Sequence, residues 1–238
     1  MVFLTIFLLL IVAGYPIWDY FYMKKIKSNL VKKGRMYGEI MIVQWGLVIL
    51  LFIYWFVTNR SINDIFFINK PLFSIPTKYF WTFGIGVGLG IILLVILFSF
   101  SKTMRKKYSD ALSDASIQFL IPSSIRERLL FLFVSITAGV CEEIIFRGVF
   151  LYYLNHLQFE LSIIAIGIIS SLLFGIVHLY QGWKGVFLTA YLGGFLFFLF
   201  VLTGSLWIPI ILHFLIDAKF VFLPNKKQLS IDTETKNI

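Results

Sequence analysis

Seven stretches of this chain are long and apolar enough to cross a lipid bilayer, which takes roughly 20 residues of helix. They cover residues 2–22, 39–58, 79–101, 129–154, 160–180, 184–203 and 205–223. Such a chain is expected to fold as an all-α, polytopic bundle of about seven transmembrane helices, because a helix satisfies its own backbone polar groups inside lipid. Composition agrees. Of 238 residues, 59% are hydrophobic and 14% charged, against about 45–50% and about 25% in a soluble domain. An ordinary soluble domain, a disordered chain and a secreted disulfide scaffold are excluded. The lone cysteine, Cys141, allows no internal disulfide and no cysteine-based metal site. The first run lacks the basic start and small-residue cleavage site of a signal peptide, and it reads as a retained span bent near Pro16. Residues 1–125 read as N-terminal scaffold helices, 126–223 as a helical core and 224–238 as a polar tail.

The net charge is +9, from 21 Lys and Arg against 12 Asp and Glu. Most of the basic residues sit in short loops between apolar runs, where they set topology and meet anionic headgroups, not nucleic acid. Loops one, three and five and the tail carry sixteen of them, whereas loops two, four and six carry three, Arg60, Lys70 and Lys78, all in loop two. The positive-inside rule then puts the odd loops and the C-terminus in the cytoplasm. Compactness points to a bacterial plasma membrane. Residues 103–128 mix Leu112, Ile117, Phe119 and Leu120 with Lys106, Lys107, Asp110 and Asp114, as in a short helix lying on the membrane surface or a solvated connector.

Ionisable residues inside spans are costly and mark function. In the first three runs Asp19 and Glu39 lie toward the ends. The fourth run holds Glu142, Glu143 and Arg147, the fifth ends with Phe174 and His178, and the seventh holds His213 and Asp217. Glu143 and Arg147 are four apart, so they share a helix face and can pair. Glu142 is turned about 100° from Glu143, lacks that partner, and must find a polar group, water or a proton. His213 and Asp217 share a face, as do Phe174 and His178, whose ring could bound the site beside the imidazole. A Glu and a His can hold and deprotonate a water, and a second His with a polar neighbour can stabilise an oxyanion. Glu142, His178, His213 and Asp217 could instead hold zinc. The plain structural reading is a polar cluster joining three helices. Gly84 to Gly90 reads as close helix packing, Cys141 as a packing residue and His156 as a loop residue.

These motifs resemble those of the CPBP family of intramembrane proteases, the CAAX proteases and bacteriocin-processing (Abi) enzymes. The family pattern is Glu-Glu-x-x-x-Arg, then Phe-x-x-x-His, then His-x-x-x-Asn or Asp. Here it reads Glu142–Glu143 with Arg147, Phe174 with His178, and His213 with Asp217, and the resemblance covers about residues 128–220. It implies an intramembrane endopeptidase in which Glu142 and His178 activate water, His213 and Asp217 line the oxyanion side, and Glu143 and Arg147 form a supporting pair, with Glu143 counted among the catalytic residues as the member nearer the chemistry. Asp217 stands where eukaryotic members often have Asn, which gives it a His-orienting or metal-ligand role as an alternative. The expected enzyme is metal-free, with a zinc enzyme as the other reading. The implied partner is a membrane-associated peptide or protein, such as a prenylated protein or a bacteriocin precursor. A non-catalytic immunity or partner-binding protein of the same family is the competing function.

Overall fold

The protein is described from a computed structural model, which describes residues 1–28, 32–68, 118–158 and 160–222 together with isolated positions between 86 and 103. The third expected span, its Gly84–Gly90 run, the expected interfacial stretch before residue 118 and the polar tail lie outside the described residues, apart from those isolated positions.

Among the described residues every regular element is helical. The first run forms α1 (Val2–Leu9), a π-helical turn (Leu10–Gly14) and α2 (Tyr15–Lys27). Pro16 has no N–H to give to a carbonyl four residues back, and the irregularity expected there is this widened turn. The second run is α3 (Lys33–Val57), followed by the short α4 (Asn63–Phe66). The fourth run is α5 (Ile125–Glu143), a π-helical turn (Ile144–Val149) and α6 (Phe150–Asn155). Ser124 caps α5 by accepting the Glu127 N–H, while the Glu127 carboxylate accepts from Ser123, a two-way cap at the helix start.

The later runs are α7 (Ile163–Ile176), α8 (Gly182–Thr203) and α9 (Trp207–Ala218). Ser162 caps α7, and Gly204, at φ 69°, ends α8 in the left-handed conformation that glycine adopts without strain. That turn meets the chain after α4. Ile68 donates to the Gly204 carbonyl and Leu206 to that of Phe66, and Phe67 and Ser205 form an antiparallel bridge.

Among the described residues, four helical stretches are long and apolar enough to cross a membrane: Val2–Ile26, Lys33–Val57, Ile125–Asn155 and Leu179–Thr203. The fifth and seventh runs are shorter than expected. With 14 and 12 residues, α7 and α9 extend about 21 and about 18 Å, less than the roughly 30 Å of a hydrocarbon core. Because α7 stops at Ile176, His178 lies in the turn that follows it, with Nε2 3.7 Å from Glu142 of α5.

Inside lipid, helices associate through close packing and polar contacts, not through water exclusion. Accordingly α9 crosses α5 at Gly139, where an added Cβ would lie 2.9 Å from the Phe214 nitrogen and 3.0 Å from the Ile210 carbonyl. α8 crosses α7 at Gly175, where it would lie 2.7 Å from the Val186 carbonyl. α3 packs on the other side of α5. The central core joins Leu51 and Trp55 of α3, Ile144 to Phe150 after α5, and Phe174, Phe200 and Ile210 of the later helices. The exterior is apolar as well, with Phe56, Phe187 and Tyr191 all largely exposed.

Candidate active site

The end of α5 sends its two neighbouring acids in different directions. Glu143 and Arg147 are fully buried, and Arg147 Nη1 lies 2.9 Å from Glu143 Oε1. This is the pair expected from the four-residue spacing. Arg147 is also enclosed from two sides. Its Nη2 donates to the Gly193 carbonyl at 3.2 Å, and its guanidinium lies 4.1 Å from the centre of the Phe174 ring, a cation–π contact. The π turn after Glu143 is tied to α7 by Ser170, whose hydroxyl donates to the Phe146 carbonyl.

Glu143 has a second task that its spacing does not reveal. His213 of α9 donates from Nδ1 to the same Oε1 at 2.7 Å, so the carboxylate orients the imidazole across 70 residues of sequence. The ring is thereby set with Nε2 facing inward. His178 is oriented by backbone instead, its Nδ1 donating to the Phe174 carbonyl at 2.7 Å. Phe174 stands beside both imidazoles, with ring centres 4.7 Å from His178 and 5.9 Å from His213.

Both Nε2 atoms point at Glu142. Its Oε2 lies 3.7 Å from His178 Nε2 and 3.9 Å from His213 Nε2, and it is buried without a hydrogen-bond partner. Asp217 Oδ2 is 3.7 Å from His213 Nε2. Glu142 and His178 side chains remain 15% and 13% exposed, enough to border a cavity that Glu143 and Arg147 do not reach. That cavity has a volume of about 260 Å³ and also bears His213 and Asp217. The structure thus brings together Glu142, His178, His213 and Asp217 around one opening, with Phe174 in the same wall and Glu143 and Arg147 behind them.

Two residues of the early helices join this set, and neither stood out in the sequence. Gln44 of α3 donates from Nε2 to Glu142 Oε1 at 2.8 Å. Asp19 of α2, 2% exposed, lines the same cavity together with Tyr15. The signal for Gln44 was a single amide in the middle of an apolar run; that for Asp19 was a carboxylate, discounted because it lay near a run's end. The helices read as scaffold therefore supply part of the wall. Cys141 is fully buried, as a packing residue should be, and His156 lies in an exposed turn.

Two imidazole nitrogens and carboxylate oxygens are the donor types zinc takes. As arranged, however, no group of three or more His, Cys, Asp or Glu side chains among the described residues is positioned to hold a metal ion. Separations of 3.7 and 3.9 Å between Glu142 Oε2 and the imidazoles are too long for direct hydrogen bonds.

No curated protein and no solved structure matches the chain significantly. Residues 124–218, from the Ser124 cap to the end of α9, match the family model described as type II CAAX prenyl endopeptidase Rce1-like, and the matched stretch holds the whole Glu-Glu, Arg, Phe, His, His and Asp set.

Proposed function

We propose that the protein is an intramembrane endopeptidase that hydrolyses a peptide bond of a membrane-associated peptide or protein with a water activated by Glu142. The observation that carries this reading is the Glu142 carboxylate: Oε1 is held by Gln44, and Oε2 is unpartnered and faces two inward imidazole nitrogens at the cavity wall. A water between these three groups gives one proton to Glu142 and is positioned by His178. Its oxygen attacks the carbonyl carbon, and the tetrahedral oxyanion forms on the side of His213. Held through Nδ1–H by Glu143, His213 can keep a proton on Nε2 and hydrogen-bond that oxyanion with it, while the buried carboxylate stabilises the imidazolium. Asp217 borders this side and steadies the charged ring. Glu142 then returns its proton to the leaving amine, so the catalyst ends as it began. No step needs a metal.

The match of residues 124–218 to a CAAX prenyl endopeptidase model supports a peptide substrate reached from the membrane. Prenylated proteins and bacteriocin precursors both meet that description. We place the chain in the plasma membrane with its basic loops and C-terminus in the cytoplasm.

The test is cleavage of a panel of quenched fluorescent peptides by the purified protein in lipid nanodiscs, beside Glu142→Gln and with a metal chelator. Removing the base should lower turnover by about 10²–10⁴-fold with an unchanged melting temperature, and chelator should leave the rate as it was. A folded Glu142→Gln protein that cuts as fast as the wild type would sink the mechanism. Rates abolished by chelator and restored by zinc would replace it with a metal mechanism. A wild type that cuts nothing, yet keeps its biological effect as Glu142→Gln, would favour the immunity or partner-binding role.

A further inference from the structure

The mechanism leaves one buried acid of the cavity without a task. Asp19 sits on α2, one turn after Tyr15, and α2 packs on the Leu179–Gln181 turn that directly follows His178. The side chain is 2% exposed, and its Oδ2 has no hydrogen-bond partner. It lines the same cavity as Glu142. Buried carboxylates are costly unless a cation or several donors meet them. Glu142 has Gln44 and the two imidazoles, and Asp217 faces His213. For Asp19 the described residues supply no such group at Oδ2.

The charge of the whole wall narrows what can fill this role. The described lining residues include three carboxylates, Asp19, Glu142 and Asp217, and two imidazoles, but no Lys or Arg. A free C-terminal carboxylate placed here would meet acids and no fixed cation. A cationic group would meet the Asp19 carboxylate, whose Oδ2 has no partner, in a site where a charge-assisted hydrogen bond is strong.

We propose that Asp19 is a specificity-determining residue that receives a positively charged side chain or amino group of the bound peptide. The substrate segment beside Asp19 is accordingly basic or neutral. This rests on the protease reading for what occupies the cavity, and the experiment separates the two.

Amidated, fluorescein-labelled peptides of one apolar sequence are made with Lys, Gln or Glu at a single position, scanned along the peptide. Binding to Glu142→Gln in nanodiscs is read by anisotropy, and cleavage by the wild type is read in parallel. At one position the Lys peptide should bind about tenfold or more tighter than the Glu peptide. Asp19→Asn in the Glu142→Gln background should bring that ratio close to one, and Asp19→Glu should retain a preference for Lys. Equal binding of the charge series, no binding of any peptide, or a Lys preference that survives Asp19→Asn overturns the proposal. If Asp19→Asn does not fold, the peptide series on Glu142→Gln decides alone. Charge-selective binding without cleavage by the wild type leaves Asp19 standing and removes the protease reading. Cleavage without charge preference does the reverse.

Discussion

Glu142 and Glu143 adjoin in sequence, yet their surroundings give them different work. Glu143 is fully buried between Arg147, at 2.9 Å, and His213, at 2.7 Å. Removing its charge strands a buried guanidinium and frees the imidazole, a loss of about 3–5 kcal/mol for a broken buried pair. Glu143→Gln should therefore lower the melting temperature in detergent clearly, while Glu142→Gln, at the cavity wall, should leave it nearly unchanged. Equal melting of the two variants would contradict this division. Gln44→Leu makes a second case: it removes one charge-assisted hydrogen bond to Glu142, and turnover should fall about tenfold to a hundredfold with the fold retained. Steady-state rates beside melting curves check it. The Glu143–Arg147 pair was legible in the sequence because helical spacing of four is a local rule. The hold of Glu143 on His213 and of Gln44 on Glu142 was not, since both join residues on different helices, and the sequence does not say which faces meet.

At the scale of elements, small residues let the helices approach closely enough for these side chains to meet. Gly139 lies one turn before Glu143 and faces the backbone of α9 beside His213. An added methyl at 2.9 Å from the Phe214 nitrogen has no flexible side chain to push aside, so α9 must move. Gly139→Ala should cost about 1–3 kcal/mol and should lower activity further than its melting loss explains, because His213 leaves Glu143. Gly46→Ala in α3 is the control, since nothing lies within 4 Å of its added Cβ; it should be neutral or stabilising, by up to about 1 kcal/mol. Melting curves and cleavage rates of both variants decide. Apolar periodicity marked where the helices would be but overran α7 and α9. The runs stay apolar through Val177 and beyond Ala218, whereas the helices end in turns that hydropathy cannot distinguish from helix. Hydropathy also gave no sign of the π turn after Glu143, where Ser170 donates to the Phe146 carbonyl and Gly148 leaves no room for a Cβ against Ile65 of α4.

For the whole molecule, the distribution of basic residues makes a prediction about sidedness. The first loop holds Lys24, Lys25, Lys27, Lys32, Lys33 and Arg35, whereas the turn after α3 holds Arg60. α3, with 25 residues, connects the two and is long enough to cross a bilayer. If the positive-inside rule governs this chain, Ser28 faces the cytoplasm and Ser61 the outside, and both are exposed positions. The single cysteine makes the test clean, because Cys141 is fully buried and Cys141→Ala removes only a small packing side chain. In that background, Ser61→Cys should react with a membrane-impermeant maleimide on intact cells, and Ser28→Cys only after permeabilisation. The reverse pattern would put the N-terminus inside and turn the cavity's opening to the other face. Labelling of both sites on intact cells would mean that α3 does not cross. The result also bears on the chemistry. His178 lies in the turn between α7 and α8, and Asp19 on α2 packs beside that turn. The side on which Ser28 lies therefore shows from which face of the membrane a basic peptide segment would reach the Asp19 end of the cavity.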